Sequence, residues 1–469
     1  MFQRAQYIVG VWFMVALGGG LGSAAAQPVA EGEHPDIRLF LEAASLDGQR
    51  ADYALSQIGE QWRNAYAGIM WDLAWLVRPP GQGFQRFFTL IGFLEQQTGQ
   101  KFGPDLARWR EWIWNQPYDP HPDYAYLKGQ WYAQIDPRFE EFFSSGVTSL
   151  IRLDEIDWGG VGVNGIPPLE YPRSLESSEA DYLADEHVVF GIAVNGQFRA
   201  YPKRILAWHE MVLDQIGGVE LTIVYCTLCG TVIPFESVAS GKHLTFGTSG
   251  LLYRSNKLMF DQETRSLWNT FKGIPVVGTL AGSGVRLVAH GVVTTTWGEW
   301  RTKHPTTTVL DVETGYRRDY REGIAYRDYF SNDQLMFQVS AIDDRLPNKK
   351  EVVAVRLANS SKPSGWAELA ITAAFLDRNR VFHCRLSGKN LVVVTSDHGA
   401  NRVYDAGGIR FEGSVNDRLL TDDEGRKWQI TESALILDEV PSERRNRVPA
   451  QRAFWFGWYA QFPDTDLID

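Results

Sequence analysis

A short internal repeat in the second half of the chain places the strongest constraint on its fold. The apolar run at residues 221–225 returns at 391–395, and an acidic turn leading to a tryptophan at 261–268 returns at 422–428. The separations are 170 and 161 positions, which agree to within a short deletion. Repetition at a near-constant period indicates a duplicated supersecondary unit. The sequence therefore predicts two related β-rich modules, at about residues 180–310 and 350–440.

Composition adds limits on what the chain can bind. With 469 residues, 44% of them hydrophobic and 22% charged, the chain is long and apolar enough for two or three folded domains. Its formal net charge is -11, so its surface repels phosphate backbones and anionic lipid. We expect no nucleic-acid partner, and nothing in the composition identifies a protein or small-molecule partner.

The first 26 residues have the pattern of a secretory signal peptide. Arg4 precedes an apolar run at 7–17, and small residues end the segment at Ala26. An apolar core of 11 residues is shorter than the roughly 20 needed to span a bilayer. We expect a periplasmic or extracellular protein with no integral membrane segment after cleavage, and an uncleaved anchor is the alternative.

Residues 27–150 are predicted to form a helical, tryptophan-rich domain. Ile58, Trp62, Ala65 and Ile69 recur at helical spacing. Helix-helix packing explains the aromatic density better than a ligand box does. Seven tryptophans lie in this region, at positions 62, 71, 75, 109, 112, 114 and 131.

After about residue 150 short β-branched runs predict strands, so the fold class is α+β. The pair Asn195-Gly196 separates two such runs and predicts a hairpin. One helix is predicted to begin at Pro202 and to end at Gly217-Gly218. We divide this region into a module at 151–330 and a related module at 331–469. The second module has an aromatic C-terminal segment and carries Ser396 and Gly399 in place of two cysteines.

The chain has three cysteines, and two of them form the motif Cys226-Thr-Leu-Cys229-Gly230. This spacing suits a knuckle in which both sulfurs hold one metal ion. It also suits a redox pair, although the strand predicted after Gly230 lacks the helix of a thioredoxin-type site. A structural disulfide is the remaining alternative, because exported proteins meet an oxidising environment.

A closed tetrahedral metal site needs four ligands, so two more donors must come from elsewhere. His209 falls on the buried stripe of the predicted helix, and Glu210 follows it. A histidine bonded within the core is the commoner role for such a residue. His383 and Cys384 are weaker candidates, because neighbours on a strand point to opposite faces.

The segment from 246 to 268 contains polar residues that could line a pocket. Ser249 precedes Gly250 directly, which differs from the nucleophile elbow of serine hydrolases. A hairpin whose polar side chains bond to nearby backbone is the simpler interpretation. The candidate lining residues are Tyr225, Ser249, Asn256, Asp261 and Trp268.

Several of these motifs together resemble an uncharacterised exported bacterial family, the domain-of-unknown-function family number 3179. The resemblance is close over about 180–330 and looser beyond, and it implies a shared site around the histidine and the cysteines without implying an activity. Thr227 stands where proline is usual in the family. The motifs are Ala200-Tyr201-Pro202 with His209-Glu210, Tyr225 to Gly230, Phe246 to Tyr253, Met259 to Trp268, and Phe454 to Trp458 with Phe462 to Thr465.

These observations lead to two hypotheses of different classes. In the first, the exported protein binds a copper or zinc ion through Cys226, Cys229, His209 and Glu210, with redox chemistry open to it. In the second, the cysteines form a structural disulfide in a non-enzymatic binding module. Whether the protein is an enzyme is not decided by its sequence.

Overall fold

A computed structural model describes residues 34–79, 83–414 and 418–469. The predicted signal peptide lies outside these residues. The chain divides into two compact units, Met1–Gly162 and Val163–Asp469. Across the described ranges, none of the helices combines the length and the apolar character needed to cross a membrane.

The first unit is helical, as the sequence predicts. Asp47 and Asp105 cap two of its helices by accepting hydrogen bonds from backbone N–H groups of the first turn. Gly99 ends another helix in the left-handed region, at a φ of 74°. Its helices are α1 Ile37–Ala43, α2 Gly48–Glu60, α3 Ala67–Val77, α4 Phe84–Thr98, α5 Leu106–Trp114 and α6 Tyr124–Ala133; it also contains 3₁₀ turns at Asn64–Tyr66, Pro137–Phe142 and Leu153–Glu155, and strand β1 Ile156–Trp158.

The second unit is rich in β-structure, which confirms the α+β class. Its first half contains helices α7 Lys203–His209, α8 Trp297–Lys303 and α9 Arg327–Phe330, with a 3₁₀ turn at Ser177–Glu179. The strands of this half are β2 Leu169–Glu170, β3 Ser174–Glu176, β4 Val188–Val194, β5 Gln197–Pro202, β6 Met211–Ile216, β7 Val219–Cys226, β8 Thr231–Glu236, β9 Val238–Ala239, β10 Lys242–His243, β11 Phe246–Tyr253, β12 Asn256–Asp261, β13 Leu267–Asn269, β14 Ile274–Val277, β15 Val292–Thr296 and β16 Thr308–Leu310.

The second half follows a similar order of elements. It contains helices α10 Ala373–Arg378 and α11 Trp455–Gln461. Its strands are β17 Glu351–Ala358, β18 Trp366–Thr372, β19 Val381–Leu386, β20 Lys389–Thr395, β21 Asn401–Asp405, β22 Phe411–Ser414, β23 Leu419–Asp422, β24 Lys427–Ile430, β25 Ala434–Leu437, β26 Arg444–Val448, β27 Ala450–Phe454 and β28 Asp466–Ile468.

The two halves share one strand order. In the first, β15, β4, β5 and β16 lie side by side, with two antiparallel pairings followed by a parallel one. In the second, β27, β17, β18 and β28 repeat the order and the pairings. A helix follows the corresponding strand in each half, α7 after β5 and α10 after β18. The sequence echo therefore coincides with a repeated arrangement of strands.

The helix predicted from Pro202 to Gly218 is wrong beyond its second turn. It ends at His209, because Glu210 adopts a φ of 57° in the left-handed region. Met211–Ile216 is then a strand that pairs with β7. Gly217 and Gly218 have positive φ and form the turn of that hairpin. The two glycines, whose sequence pattern predicts a helix stop, form a turn between two strands instead.

Candidate functional site

The cysteine motif forms a tight turn between β7 and β8. Cys226 ends β7, and β8 begins at Thr231. Gly230 has a φ of 62°, and its backbone N–H donates to the Thr227 carbonyl at 3.3 Å. A glycine is required there because this backbone conformation is costly for other residues. The turn brings both sulfur atoms to the same side of the knuckle.

A second turn, between β11 and β12, faces the sulfurs. It consists of Arg254 and Ser255, with φ values of 50° and 60°, where hairpins prefer asparagine or glycine. The Ser255 carbonyl oxygen lies 3.5 Å from the Cys229 Sγ and 4.0 Å from the Cys226 Sγ. Side chains held in unfavourable backbone conformations concentrate at functional sites. The strained turn therefore marks this region as a candidate site.

Both thiols are unpaired and almost completely buried, with Cys226 2% exposed and Cys229 0%. Burial raises the pKa of Cys226, but hydrogen bonds from the Cys229 thiol and from the backbone N–H groups of Lys257 and Cys229 hold that pKa below its usual value. Burial, reinforced by Cys226, raises the pKa of Cys229 well above its usual value. Of the two thiols, Cys226 therefore gives up its proton more readily than Cys229.

Charged groups lie beside the thiols. Glu210 forms a buried ion pair with the Lys257 ammonium, and its Oε1 accepts a hydrogen bond from the Tyr326 hydroxyl at 2.9 Å. Burial, together with Glu210, raises the pKa of Tyr326 well above its usual value, so this residue remains a neutral donor. The backbone N–H of Lys257 is also one of the donors to Cys226. The ion pair is therefore connected to the Cys226 sulfur through Lys257.

Three hydroxyl groups around the knuckle are buried without a partner among the described residues. They are the Oγ1 atoms of Thr227 and Thr231 and the Oγ of Ser255. An unpaired buried hydroxyl costs about 1 to 3 kcal/mol, and most such groups in native proteins are bonded to protein or water. Their concentration next to two thiols suggests that this site receives a ligand, ion or water molecule.

Both ring nitrogens of His209 have hydrogen-bond partners. One ring nitrogen lies 3.1 Å from the Pro167 carbonyl, and the other lies 2.5 Å from the Tyr320 hydroxyl. Burial lowers the pKa of His209, and Arg318 adds to the effect. A neutral imidazole can donate to Pro167 and accept from Tyr320, which uses both nitrogens. The structure therefore separates His209 from Glu210, its neighbour in sequence, which contacts Lys257 and Tyr326.

The predicted set of four metal ligands is not assembled. Within the part of the chain that the structure describes, no three or more His, Cys, Asp and Glu side chains are grouped to hold a metal ion. His383, also weighed as a ligand, is bonded to the backbone of Phe411. Cys384 lies in an apolar setting that raises its pKa to about 11. Of the candidate ligands, Cys226 and Cys229 lie together, and Glu210 acts on them electrostatically by raising the pKa of both.

Most of the predicted pocket-lining residues serve local structure. Ser249 bonds to the Leu258 carbonyl at 2.5 Å, and Asp261 accepts from the Trp268 indole at 2.8 Å. Tyr225 packs against Phe190, with ring centroids 5.2 Å apart. Asn256 differs, because its amide nitrogen lies 3.6 Å from the Cys229 Sγ and can donate to it. Asn256 is therefore the residue of this set that contacts the thiol pair.

Residues 331–469 supply the cover of the knuckle. The backbone N–H of Phe454 donates to the Cys229 carbonyl at 2.7 Å. A Cβ added at Gly457 would lie 3.0 Å from the Cys229 Sγ, so α11 approaches the sulfur closely. On another side, the Tyr329 hydroxyl donates to the Leu228 carbonyl at 2.8 Å. The aromatic C-terminal segment thus closes the site.

Sequence reasoning did not identify Lys257, Tyr326 or the turn at Ser255. These residues reach the knuckle from β12, from the start of α9 and from a hairpin turn, so no spacing in the sequence connects them with the cysteines. The sequence of the turn did give one indication of the site. Arg254-Ser255 occupies a two-residue hairpin turn in which Asn-Gly is the usual pair.

Comparison with known proteins gives one family and no function. Residues 163–465 match the family described as "Protein of unknown function (DUF3179)". The match begins where the second compact unit begins. No curated protein and no solved structure shows significant similarity to the chain.

Proposed function

The chain belongs to the DUF3179 family, whose description assigns no activity, and we propose that it is an exported protein that binds one Cu(I) ion through Cys226 and Cys229. The observation that carries the proposal is a buried pair of free cysteines whose sulfurs both receive hydrogen bonds and lie near hydroxyls that have no partner among the described residues. Soft thiolate ligands select Cu(I) over harder cations.

The number of donors favours copper over zinc. A structural zinc site takes four ligands, whereas Cu(I) is stable between two thiolates. The two cysteine sulfurs supply the two ligands that Cu(I) needs. Both ring nitrogens of His209 already have hydrogen-bond partners. Hydrogen bonds from Asn256 to Cys229 and from backbone N–H groups to Cys226 stabilise negative charge on both sulfurs.

The charge balance is also favourable. When Cu(I) binds, the Cys229 thiol loses its proton and each sulfur forms a bond to the ion. If Cys226 is the thiolate and Cys229 the thiol before binding, one Cu(I) ion replaces one proton and the net charge of the pair does not change. The Glu210–Lys257 pair is neutral in sum and unaffected by this exchange. Keeping the charge constant avoids a further desolvation cost in the buried site.

The test is anaerobic titration of the full chain with Cu(I) against a chromogenic competitor. We expect one ion per chain, and complete loss of this binding in Cys226→Ser and in Cys229→Ser. Cys384→Ser is the matched control, since it removes the third cysteine and should leave the stoichiometry at one. His209→Asn should also bind one ion.

Two results would contradict the proposal. If the protein isolated from the periplasm has no free thiol at 226 and 229 and takes up no copper after reduction, the cysteines form a structural disulfide. If it binds zinc with a dependence on His209, the four-ligand arrangement applies instead. Elemental analysis together with a thiol count distinguishes these cases.

A further inference from the structure

The helical unit contains a cavity that no part of the copper site uses. It lies between α3, α6 and the segment 156–158, and it encloses about 380 Å³ including its open mouth. Its innermost part admits a group about the size of one water molecule. Aromatic rings and two carboxylates form most of the wall: Trp71, Asp72, Trp75, Trp131, Asp157 and Trp158.

One hydrogen-bond donor in this wall has no acceptor among the residues that the structure describes. The Trp131 side chain is 95% buried, and its Nε1 has no hydrogen-bond partner among the described residues. The indoles of Trp71 and Trp158 donate to the carbonyls of Leu106 and Val161, each at 2.8 to 2.9 Å. Buried indole N–H groups usually find an acceptor. A ligand oxygen in the cavity would supply the acceptor that Trp131 lacks.

The charges of the wall exclude ionic ligands. Asp72 accepts from Lys128 at 3.0 Å, and Asp157 pairs with Arg110 at 2.5 Å, so each carboxylate already has its own cation. An anion would meet two carboxylates. A cation would compete with the Arg110 guanidinium, which lies 4.4 Å from the centre of the Trp71 ring. The Arg78 guanidinium covers the Trp75 ring in the same way, at 3.9 Å.

We propose that this cavity binds a neutral polyhydroxylated ligand, such as one end of a sugar. A hydroxyl group matches the small inner space, since its oxygen can accept from the Trp131 indole while its proton is donated to a carboxylate of the wall. The C–H face of the sugar ring then lies on the partly exposed indoles at the mouth, of which Trp158 is one. A simple hydrocarbon would leave the indole N–H unpaired.

The experiment follows the indole N–H signals of the full chain by NMR during titration with methyl β-glucoside. We expect the Trp131 signal, assigned by its loss in Trp131→Phe, to shift and to saturate. Trp131→Phe keeps an aromatic ring and deletes the donor, so it should weaken binding about fivefold, measured from the remaining shifts. Trp158→Leu removes the stacking surface and should weaken binding without touching the Trp131 donor.

Trp62→Phe is the matched control. Its Nε1 donates to Asn64 at 3.1 Å, and Trp62 is not part of the cavity wall. This variant should bind the glucoside as the parent chain does. A shift caused by tetramethylammonium or acetate and not by the glucoside would overturn the proposal, as would the absence of any shift. Equal binding by the parent chain and by both cavity variants would overturn it as well.

Discussion

The loops at 227–230 and 396–400 occupy corresponding places in the two halves of the β-rich unit, and they differ in how their polar groups are satisfied. In the second loop, the Ser396 hydroxyl accepts from the backbone N–H of Ala400 at 3.0 Å, and the Ser396 N–H donates to the Ala400 carbonyl at 2.9 Å. In the first loop, the Thr227 hydroxyl has no partner among the described residues and the sulfurs depend on distant elements. The second loop satisfies the Ser396 hydroxyl with its own backbone, whereas the first leaves the Thr227 hydroxyl without a partner among the described residues.

The surrounding framework is nearly the same in both halves. The Trp300 indole donates to the Thr307 hydroxyl at 2.9 Å, and the Trp458 indole donates to Thr465 at the same distance. These pairs lie seven residues apart in each half. A conserved framework with one altered loop indicates that the polar groups of the first loop are a local feature rather than a consequence of the fold.

The largest loss of stability is expected from breaking the buried ion pair between Glu210 and Lys257. Lys257→Met leaves the Glu210 carboxylate buried without its cation, which should lower the free energy of unfolding by about 3 to 5 kcal/mol. The measurement is urea denaturation of the parent chain and the variant. The double variant Lys257→Met with Glu210→Gln should recover part of the loss, because the unpaired charge is gone.

The second half provides a matched control for this ion pair. Arg447→Met also removes a cation from a buried carboxylate, Glu432, but Arg402 remains 2.7 Å from that carboxylate. The expected loss is about 1 to 2 kcal/mol, since a charge partner is retained. Equal losses in the free energy of unfolding would contradict this, because they would show that Glu210 without Lys257 costs no more than Glu432, which retains Arg402.

The next largest loss in the free energy of unfolding should be the same in both halves of the β-rich unit. Asp261 and Asp422 each accept a hydrogen bond from a tryptophan indole, at 2.8 and 2.9 Å. Replacing either aspartate with alanine leaves a buried indole N–H unpaired and should cost about 2 to 3 kcal/mol. Denaturation curves of Asp261→Ala and Asp422→Ala should therefore nearly coincide. A large difference would mean that the two turns are not equivalent in energy.

The sequence predicted the framework better than the site. A hairpin with a glycine turn depends on residues that are close in sequence, and so does the acidic turn at 261–268. Local patterns therefore identified β4, β5 and the repeat of this turn at 422–428. The helix predicted from Pro202 to Gly217-Gly218 is present only as far as His209, because Glu210 adopts a left-handed conformation that its residue type does not signal.

The same limit applies to the site. The two cysteines were recognisable because their ligand spacing is local. Lys257 is 28 residues beyond Cys229, and its backbone donates to Cys226 only because β12 folds against the knuckle. His209 is predicted in the site because it lies on the buried stripe of a helix that leads into the cysteine strand, yet the end of α7 sends His209 and Glu210 to different partners.

A smaller loss of stability is expected from a substitution in α11, which packs against the cysteine knuckle. In Gly457→Ala the new Cβ would lie 2.9 Å from the Cys229 Cβ and 3.0 Å from its Sγ, so the thiol must move. We expect a loss of about 1.5 kcal/mol in stability and weaker Cu(I) binding. Gly408→Ala is the control, because a Cβ there meets no atom within 4 Å. Copper affinity equal to that of the parent chain would show that α11 does not constrain the sulfur.

The smallest effect on stability is expected from His209, whose ring is hydrogen-bonded to the Tyr320 hydroxyl. Burial lowers its pKa in the folded state, so the unfolded chain takes up the proton more readily. Stability from the neutral ring is present above the unfolded pKa of about 6.5 and is lost as the pH falls below it. His209→Gln should therefore flatten the decline in urea midpoint between neutral and mildly acidic pH. His243→Gln, at an exposed position, should leave that decline unchanged. If His209 were a metal ligand instead, the substitution would abolish copper binding at neutral pH, and a metal titration on the same sample separates the two roles.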